Sequence, residues 1–371
     1  MHEKGRRGIC IILLYLLCMN ANELNIDDTI SKKKKMFPIG EELRKYLTEY
    51  SRDITIPITY QDLRHFNGSV AVRDKKGKDT LWESALYPDS EVQHIHDGLK
   101  TIYAILKTGG DVSVHTHLVV ERIDYCTFGN SNPFRIKIVN NLNDNYDYFY
   151  VKQGDASRVY GLELEHILSP SRINYFTFQN TLVEEHIAGI PGDQFMLNYL
   201  HNSEFNKVRI AKEFVKFNER CFVRLLGDMR SYNYVFDITP DFEEVQFRLR
   251  AIDFDQQSYE GKRTIYLPQF FKENLPLVQL TLDLLTPATI RQYQKEERTL
   301  IARRSLSSAY RLNQLVEVMS KDTISLPNKV TQLGEELAKF YDHAAFLTCQ
   351  SMGELLRCSL NLIEQEIQRK K

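Results

Sequence analysis

The residues whose types and spacing could carry chemistry lie in two short segments in the second half of the chain. The first segment, Leu226–Asn233, has Asp228 and Asn233 five residues apart, and the second, Ile252–Asp255, contains Asp253 after a pair of predicted strands. A carboxylate can accept the proton of a hydroxyl group, while an amide and a second carboxylate can hold magnesium against nucleotide phosphates. These are residue types that phosphoryl transfer needs, in the pattern Asp-x-x-x-x-Asn followed by Asp-Phe.

The elements that must position these residues follow from periodicity and from turn residues. Alternating apolar residues predict an antiparallel meander of three strands, over residues 119–126, 134–139 and 146–152. Helical apolar spacing follows over 157–168, and two further short strands are predicted over 175–179 and 181–186. A long helix is predicted over 206–225 and a hairpin over 234–237 and 246–252. Nearly everything after Leu275 has helical spacing. The chain therefore combines a sheet-rich half with a larger helical half.

In this order the motifs resemble the catalytic core of the protein-kinase-like superfamily, and they look most like its aminoglycoside and small-molecule phosphotransferase branch. The resemblance implies an α+β, two-lobed fold, with an antiparallel-sheet N-lobe over 116–187, a helical C-lobe over 188–371, and ATP and Mg²⁺ between the lobes. It implies that Asp228 is the base and that Asn233 and Asp253 are metal ligands. Asp255 either assists at the metal or caps the next turn. The family often has His before the Gly-Asp pair, where this chain has Leu226.

The resemblance also implies a lysine that contacts the nucleotide phosphates and a helix glutamate that holds it. Lys152 ends the third predicted strand of the meander, and Glu163 and Glu165 lie eleven and thirteen residues further on, in the next predicted helix. Residues two apart on a helix face different ways, so only one of the two glutamates can face the lysine. Glu163 is the expected partner of Lys152.

Two further segments are expected to contact the nucleotide. The run Leu182–Gly189 resembles the kinase hinge, in which main-chain atoms around Glu185, His186 and Ile187 would bond the adenine edge. The turn after the first strand of the meander has a single glycine, Gly129, where protein kinases place three. Backbone N–H groups of such a turn can still approach phosphates.

Composition limits the other function classes. The 371 residues are 43% hydrophobic and carry 48 Lys and Arg against 49 Asp and Glu, so the chain forms a large core and has no broad basic field for nucleic acid. Six cysteines occur without a C-x-x-C pair, which favours reduced thiols over a disulfide framework or a zinc site. Nucleic acid is therefore not an expected partner.

The start of the chain allows two interpretations. Basic residues precede an apolar stretch, Gly8–Met19, as in a secretory signal that is short for a membrane span. Alternatively, synthesis begins at Met36, and residues 1–35 are an upstream extension without a structural role. ATP chemistry favours the second interpretation, a cytoplasmic protein without membrane attachment, while a genuine signal would mean export. Residues 36–115 are expected to be an accessory segment, with helices over 41–50 and 92–107 and a strand over 54–60.

The expected activity is ATP- and Mg²⁺-dependent transfer of the γ-phosphoryl group to a hydroxyl of a small molecule or a protein, and the sequence does not specify the acceptor. One alternative is a pseudokinase that binds partners, and another is transfer of AMP on the same fold. A third is that Asp228 and Asn233 only bond their own backbone, as such residues often do in turns. The pairs His94/His96 and His115/His117 are expected to be ordinary polar positions rather than metal ligands.

Overall fold

The computed structural model describes residues 34–74, 76–110, 116–128, 131–241 and 245–368. They form two compact units. The sheet unit comprises residues 34–156 and 173–186, and the helical unit comprises 157–172 and 187–368. The signal-like stretch Gly8–Met19 lies outside the described residues.

The sheet unit is built on one antiparallel sheet of seven strands. The strands are β1 (Gly68–Arg73), β2 (Asp79–Leu86), β3 (Leu118–Cys126), β4 (Phe134–Asn140), β5 (Asn145–Gln153), β6 (Tyr175–Phe178) and β7 (Thr181–Glu185). Their order across the sheet is β1-β2-β3-β4-β5-β7-β6. Three helices accompany them: α1 (Glu41–Glu49), α2 (Tyr60–Leu63) and α3 (Asp89–Thr108). The meander β3-β4-β5 and the pair β6-β7 are the strands that the sequence predicted.

One face of the sheet carries the core of this unit. Inward residues of β4 and β5, such as Ile136 and Phe149, pack with Leu99 and Ile102 of α3, and all four are fully buried. Because side chains alternate between the faces of a strand, Tyr148, Tyr150 and Lys152 point to the opposite face of β5. The core therefore leaves the second face of the sheet to polar and aromatic side chains.

The accessory segment differs from expectation in two ways. The predicted strand over 54–60 is wrong: residues 54–59 belong to no strand or helix, an isolated bridge from Asp53 to Thr177 lies just before them, and α2 begins at Tyr60. The alternating apolar residues of this segment are nevertheless buried, since Ile56 and Ile58 lie in the core. The segment also supplies β1 and β2, which extend the sheet.

Lys34 shows that the predicted upstream extension has at least one structural contact. Its ammonium pairs with Asp155 of the sheet unit, and both side chains are buried. The other carboxylate oxygen of Asp155 accepts the Phe37 backbone N–H at 2.9 Å. The expectation that residues 1–35 have no structural role is therefore wrong for Lys34.

The helical unit contains most of the helices and a small three-stranded sheet of order β10-β9-β8. Its elements are α4 (Ala156–Leu168, from residue 157 on), β8 (Ile190–Pro191), α5 (Gly192–Asn198), α6 (Lys207–Arg224), β9 (Tyr234–Pro240), β10 (Val245–Ala251), α7 (Leu275–Leu284), α8 (Pro287–Ser307), α9 (Ala309–Lys321), α10 (Pro327–Tyr341) and α11 (Met352–Gln368). Among the described residues, no helix has both the length and the apolar character that a bilayer crossing requires. The structure confirms the predicted α+β class.

Helix α6 is the central helix of this unit, and its ends explain its length. The Asn206 side chain accepts hydrogen bonds from the backbone N–H groups of Val208 and Arg209, which caps the first turn. At the other end Leu225 adopts φ 55°, a left-handed conformation that ends the helix. The loop that carries Asp228 begins directly after this residue, so the helix end sets the direction in which the loop leaves.

Candidate functional site

The loop after α6 is held by hydrogen bonds to the segment that contains Asp253. The Gln257 side chain donates to the carbonyl oxygens of Arg224 and Leu225, at 2.6 and 3.2 Å. The backbone N–H of Gly227 donates to the carbonyl of Gln256 at 3.1 Å. The two segments that the sequence singled out are therefore bonded neighbours in the helical unit.

Asp228 combines a strained backbone with an unfavourable place for its charge. Its φ is 58°, a left-handed conformation that non-glycine residues seldom adopt and that clusters at functional sites. Burial raises the pKa of the Asp228 carboxyl to about 6, against the opposing effect of Arg230, whose Nε donates to Oδ1 at 2.9 Å. Nearby Asp253 raises the pKa further. A carboxyl group whose pKa is near 6 is well suited to accept a proton at neutral pH.

Asn233 is bonded to the same loop. Its side-chain Nδ2 donates to the main-chain carbonyl of Asp228 at 2.7 Å, and its backbone N–H donates to the carbonyl of Arg230 at 2.9 Å. Within the described residues, Oδ1 of Asn233 has no hydrogen-bond donor. The amide nitrogen thus fixes the loop, while the amide oxygen remains a possible ligand. One alternative was that Asp228 and Asn233 only bond the nearby backbone. The Asn233 side-chain nitrogen does so, whereas its side-chain oxygen does not.

Asp253 and Asp255 share a cation that the sequence analysis missed. Nη1 of Arg158, in the first turn of α4, donates to Asp253 Oδ1 at 2.8 Å and to Asp255 Oδ1 at 2.6 Å. The Arg158 side chain is only 2% exposed. Asp253 Oδ1 also accepts the backbone N–H of Asp255 at 3.0 Å. Both predicted carboxylate ligands are therefore already neutralised in part by one buried guanidinium.

Further contacts fix α4 against the Asp253 segment. The Ser157 hydroxyl donates to the carbonyl of Gln257 at 2.6 Å. A Cβ added to Gly161 would lie 3.0 Å from the Cβ of Phe254 and 3.1 Å from that of Gln257, so only glycine allows this approach without displacement. The fixed backbone of α4 thus delivers Arg158 to the two aspartates.

The predicted pairing of Lys152 with Glu163 is wrong. Lys152 Nζ donates to Glu184 Oε2 at 2.8 Å, and both side chains are buried in the sheet unit. β5 pairs with β7 so that Lys152 lies opposite Leu182, which places Glu184 two residues along on the same face.

The two helix glutamates have partners of their own within the helical unit. Glu163 accepts two bonds from Arg311 Nη2, at 2.7 and 2.9 Å, and a third from its Nε, while Glu165 pairs with Arg224. Glu163 and Glu165 therefore stabilise the packing of α4 in the helical unit.

Aromatic and basic side chains share the face of the sheet that carries Lys152. Arg135 of β4 lies over the Trp82 ring, 4.4 Å from its centroid, and over the Tyr148 ring at 5.3 Å. The Lys152 ammonium lies 5.2 Å from the Tyr150 ring centroid. Sequence reasoning missed this group, although Tyr146, Tyr148, Tyr150 and Lys152 alternate along β5 and so predict a shared face.

Two of the predicted hinge residues use their backbone N–H groups for hydrogen bonds within the sheet unit. The Glu185 N–H donates to the carbonyl of Asn174 at 3.0 Å, and the His186 N–H donates to that of Tyr148 at 3.3 Å. Tyr150 Oη and His186 Nδ1 are 3.1 Å apart, and burial lowers the pKa of this imidazole. These two main-chain donors are therefore used inside the sheet unit, and the main chain of Ile187 stays the predicted adenine contact. Gly129 lies outside the described residues.

The histidine pairs form no metal site in the described part of the chain. His94 and His96 lie on α3, where residues two apart do not share a face, and His115 is outside the described residues. Across the described ranges, no group of three or more His, Cys, Asp or Glu side chains could hold a metal ion.

Comparison with known proteins gives remote structural likeness only. No protein-family model matches the chain, and no curated protein matches it. The autoinhibited serine kinase domain of the giant muscle protein titin is 13% identical, with a TM-score of 0.26, over 66% of this chain and 93% of that one. A structure of titin kinase and its flanking domains is 12% identical, with a TM-score of 0.24, over 67% of this chain and 55% of that one. Both structures contain titin kinase, and at these TM-scores and identities the likeness carries no argument about this chain.

Proposed function

We propose that the chain is a kinase-like phosphotransferase that moves the γ-phosphoryl group of ATP to a hydroxyl of a small molecule or a protein. The observation that carries this proposal is the loop after α6, where Asn233 bonds the main chain of Asp228 at 2.7 Å and burial raises the pKa of the Asp228 carboxyl to about 6. A proton acceptor and an amide ligand are thus held by a single short contact. Since ATP is chiefly a cytosolic substrate, the proposal places the protein in the cytoplasm.

Asp228 supplies the proton-accepting group of the proposed reaction. The acceptor hydroxyl loses its proton to the Asp228 carboxylate as its oxygen forms a bond to the γ-phosphorus, and the bond from that phosphorus to the β–γ bridging oxygen breaks. ADP leaves with the electron pair of the broken bond. Arg230 bonds Asp228 at 2.9 Å and Glu273 at 2.9 Å, so it holds the carboxylate in one orientation.

The residues present fit one magnesium ion. Asn233 Oδ1 has no donor among the described residues, and the Asp253 carboxylate lies close enough to raise the pKa of Asp228. Both are hard oxygen donors of the kind that magnesium prefers. Asp255 fits less well, because its Oδ1 is 2.6 Å from Arg158 Nη1. When bound, magnesium would neutralise charge on the nucleotide phosphates, with Asn233 and Asp253 as its protein ligands.

Lys152 and the aromatic side chains around it are the proposed nucleotide contacts of the sheet unit. The Lys152 ammonium is buried, paired with Glu184 and placed beside the Tyr150 ring, so it is a fixed positive charge rather than a solvated surface lysine. Fixed cations stabilise phosphoryl groups because they do not reorganise during the reaction. The Tyr150 ring lies beside this charge, while Trp82 and Tyr148 pack against Arg135.

A second candidate function is a binding module without turnover, and Arg158 is the observation that favours it. A guanidinium between Asp253 and Asp255 neutralises the carboxylate that the reaction needs for magnesium. Such a chain would still offer Lys152 and the ring faces to a nucleotide. The two functions differ in whether the γ-phosphoryl group leaves ATP.

Labelled ATP distinguishes these functions. The purified full chain is incubated with Mg²⁺, heat-treated cell extract as a source of acceptors, and ATP labelled at either the γ- or the α-phosphate. We expect γ-label to enter an acceptor, and we expect Asp253→Ala to lower that transfer by roughly 100-fold or more.

Each other outcome of the labelling experiment overturns the proposed phosphotransferase. Transfer of α-label would identify an AMP transferase. Nucleotide binding without transfer of either label would identify the binding module. Lys45→Ala, which removes an exposed lysine of α1 far along the chain from these residues, serves as the matched control and should keep full transfer.

A further inference from the structure

Two cysteines near the end of the helical unit have their sulfur atoms in contact. Cys349 follows a short 3₁₀ turn, Ala344–Thr348, and Cys358 lies on α11. Their Sγ atoms are 3.6 Å apart, and the Cys349 thiol also donates to the carbonyl oxygen of Ala345 at 3.5 Å. A bond between two sulfur atoms is about 2.05 Å long, so the pair has to close by roughly 1.5 Å to form a disulfide.

The backbone around Cys349 allows this approach. Cys358 is fixed within a helix, whereas Cys349 has an extended conformation, with φ −69° and ψ 133°. The Cys349 N–H donates to the carbonyl of Phe346 over 3.4 Å, which is long for such a bond and therefore weak. The next residue is held more firmly, since the Gln350 N–H donates to Glu354 Oε2 at 2.6 Å. A small movement confined to Cys349 can therefore bring the two sulfurs together.

Exposure separates this pair from the other cysteines that the structure describes. Cys126 and Cys221 are buried, whereas Cys349 and Cys358 are both partly exposed. A small oxidant can therefore reach the pair from solvent. A metal ion is not the expected partner of these sulfurs, because the described residues contain no cluster of three or more His, Cys, Asp or Glu side chains that could hold one.

We propose that Cys349 and Cys358 are a redox-active pair, which oxidised glutathione converts to an intramolecular disulfide. In the first step the thiolate of one cysteine attacks oxidised glutathione, which gives a mixed disulfide and one glutathione thiolate. The thiolate of the other cysteine then attacks the cysteine sulfur of the mixed disulfide, forms the internal S–S bond and releases the second glutathione thiolate. The two glutathione thiolates take up the protons that the cysteines lose, so two protein thiols are oxidised as one glutathione disulfide is reduced. The inference goes beyond the proposed phosphotransferase, since neither cysteine belongs to the candidate site.

Peptide mapping of the folded full chain tests this proposal without ATP or turnover. The chain is reduced with dithiothreitol, freed of the reductant and incubated overnight with oxidised glutathione at neutral pH. The long incubation is needed because burial raises the pKa of the Cys349 thiol to about 12, which slows its attack. The remaining thiols are then alkylated, and the chain is digested with trypsin. Trypsin cuts after Arg357, between the two cysteines, so only a disulfide keeps their two peptides joined.

The natural protein should give the joined peptides, and dithiothreitol should separate them. Because the fold holds these two sulfurs in contact, this pairing should exceed every other pairing of the six cysteines by roughly 10-fold or more. Cys349→Ser and Cys358→Ser each keep one thiol of the pair and serve as controls, and neither should give the joined peptides. Glutathione adducts on Cys349 and Cys358 without the joined peptides, or another pairing in equal amount, would overturn the proposal.

Discussion

Asp228→Asn should lower γ-phosphoryl transfer by about 100- to 10,000-fold and should make the folded protein more stable at neutral and alkaline pH. The loss of transfer follows because an amide cannot accept the proton of the acceptor hydroxyl. Asparagine tolerates the left-handed backbone of this position, where φ is 58°, so the loop should keep its conformation. An activity loss without misfolding is the expected result.

The gain in stability follows from the pKa of Asp228. The pKa is raised from 3.8 to about 6 in the folded protein, chiefly by burial, so ionisation of this group opposes folding. Its favourable contribution is fully present below pH 3.8 and is lost as the pH rises through about 6. The Asn variant does not titrate, and near pH 8 its free energy of unfolding should exceed that of the natural protein by about 3 kcal/mol.

Urea unfolding across this pH range measures the effect. The difference between the two proteins should be small near pH 4 and should grow to its full size above pH 6. A variant that is less stable than the natural protein at alkaline pH would show that Asp228 is a structural carboxylate, held by Arg230, rather than a strained functional one.

Lys152→Met is the second change with a large expected effect. It should abolish nucleotide binding and lower the free energy of unfolding by about 3 kcal/mol, because it removes the cation of a buried ion pair. Lys152→Met/Glu184→Gln should recover most of the stability, since the buried charge is gone, and should still fail to bind ATP. Unfolding in urea and titration with ATP measure the two properties separately.

The double variant is the control that separates folding from function. If Lys152→Met/Glu184→Gln binds ATP as well as the natural protein does, Lys152 has a structural role only. If Lys152→Met is as stable as the natural protein, the buried pair contributes nothing to the fold.

Sequence periodicity predicted the elements that bury one clear face. The strands β3, β4 and β5 and the helix α6 were predicted to within a few residues, because their apolar side chains repeat at the strand or helix period. β1 and β2 were missed because most of their residues are exposed or half-buried and show no such repeat. Residues 54–60 were predicted as a strand because apolar residues stand at every second position from Ile54 to Tyr60, yet Pro57 has no N–H with which to join a ladder.

The parts of the candidate site that were predictable are those whose residues are close together in the sequence. Asp228 and Asn233 are five residues apart and meet in one loop, so their association was visible in the sequence. The partner of Lys152 was not, because strand register rather than spacing brings Glu184 to it. Arg158 bonds residues 95 and 97 positions away, and no local pattern indicates contacts of that separation.

The pH dependence of γ-label transfer tests most directly whether Asp228 is the proton acceptor. With saturating ATP and Mg²⁺, the rate should rise from about pH 5 and level off above about pH 7, with a midpoint set by the pKa of about 6. Asp228→Asn should leave only a low rate that does not change with pH over this range. A natural protein whose rate is constant across the range, or an Asp228→Asn variant that keeps the same rising profile, would contradict the account.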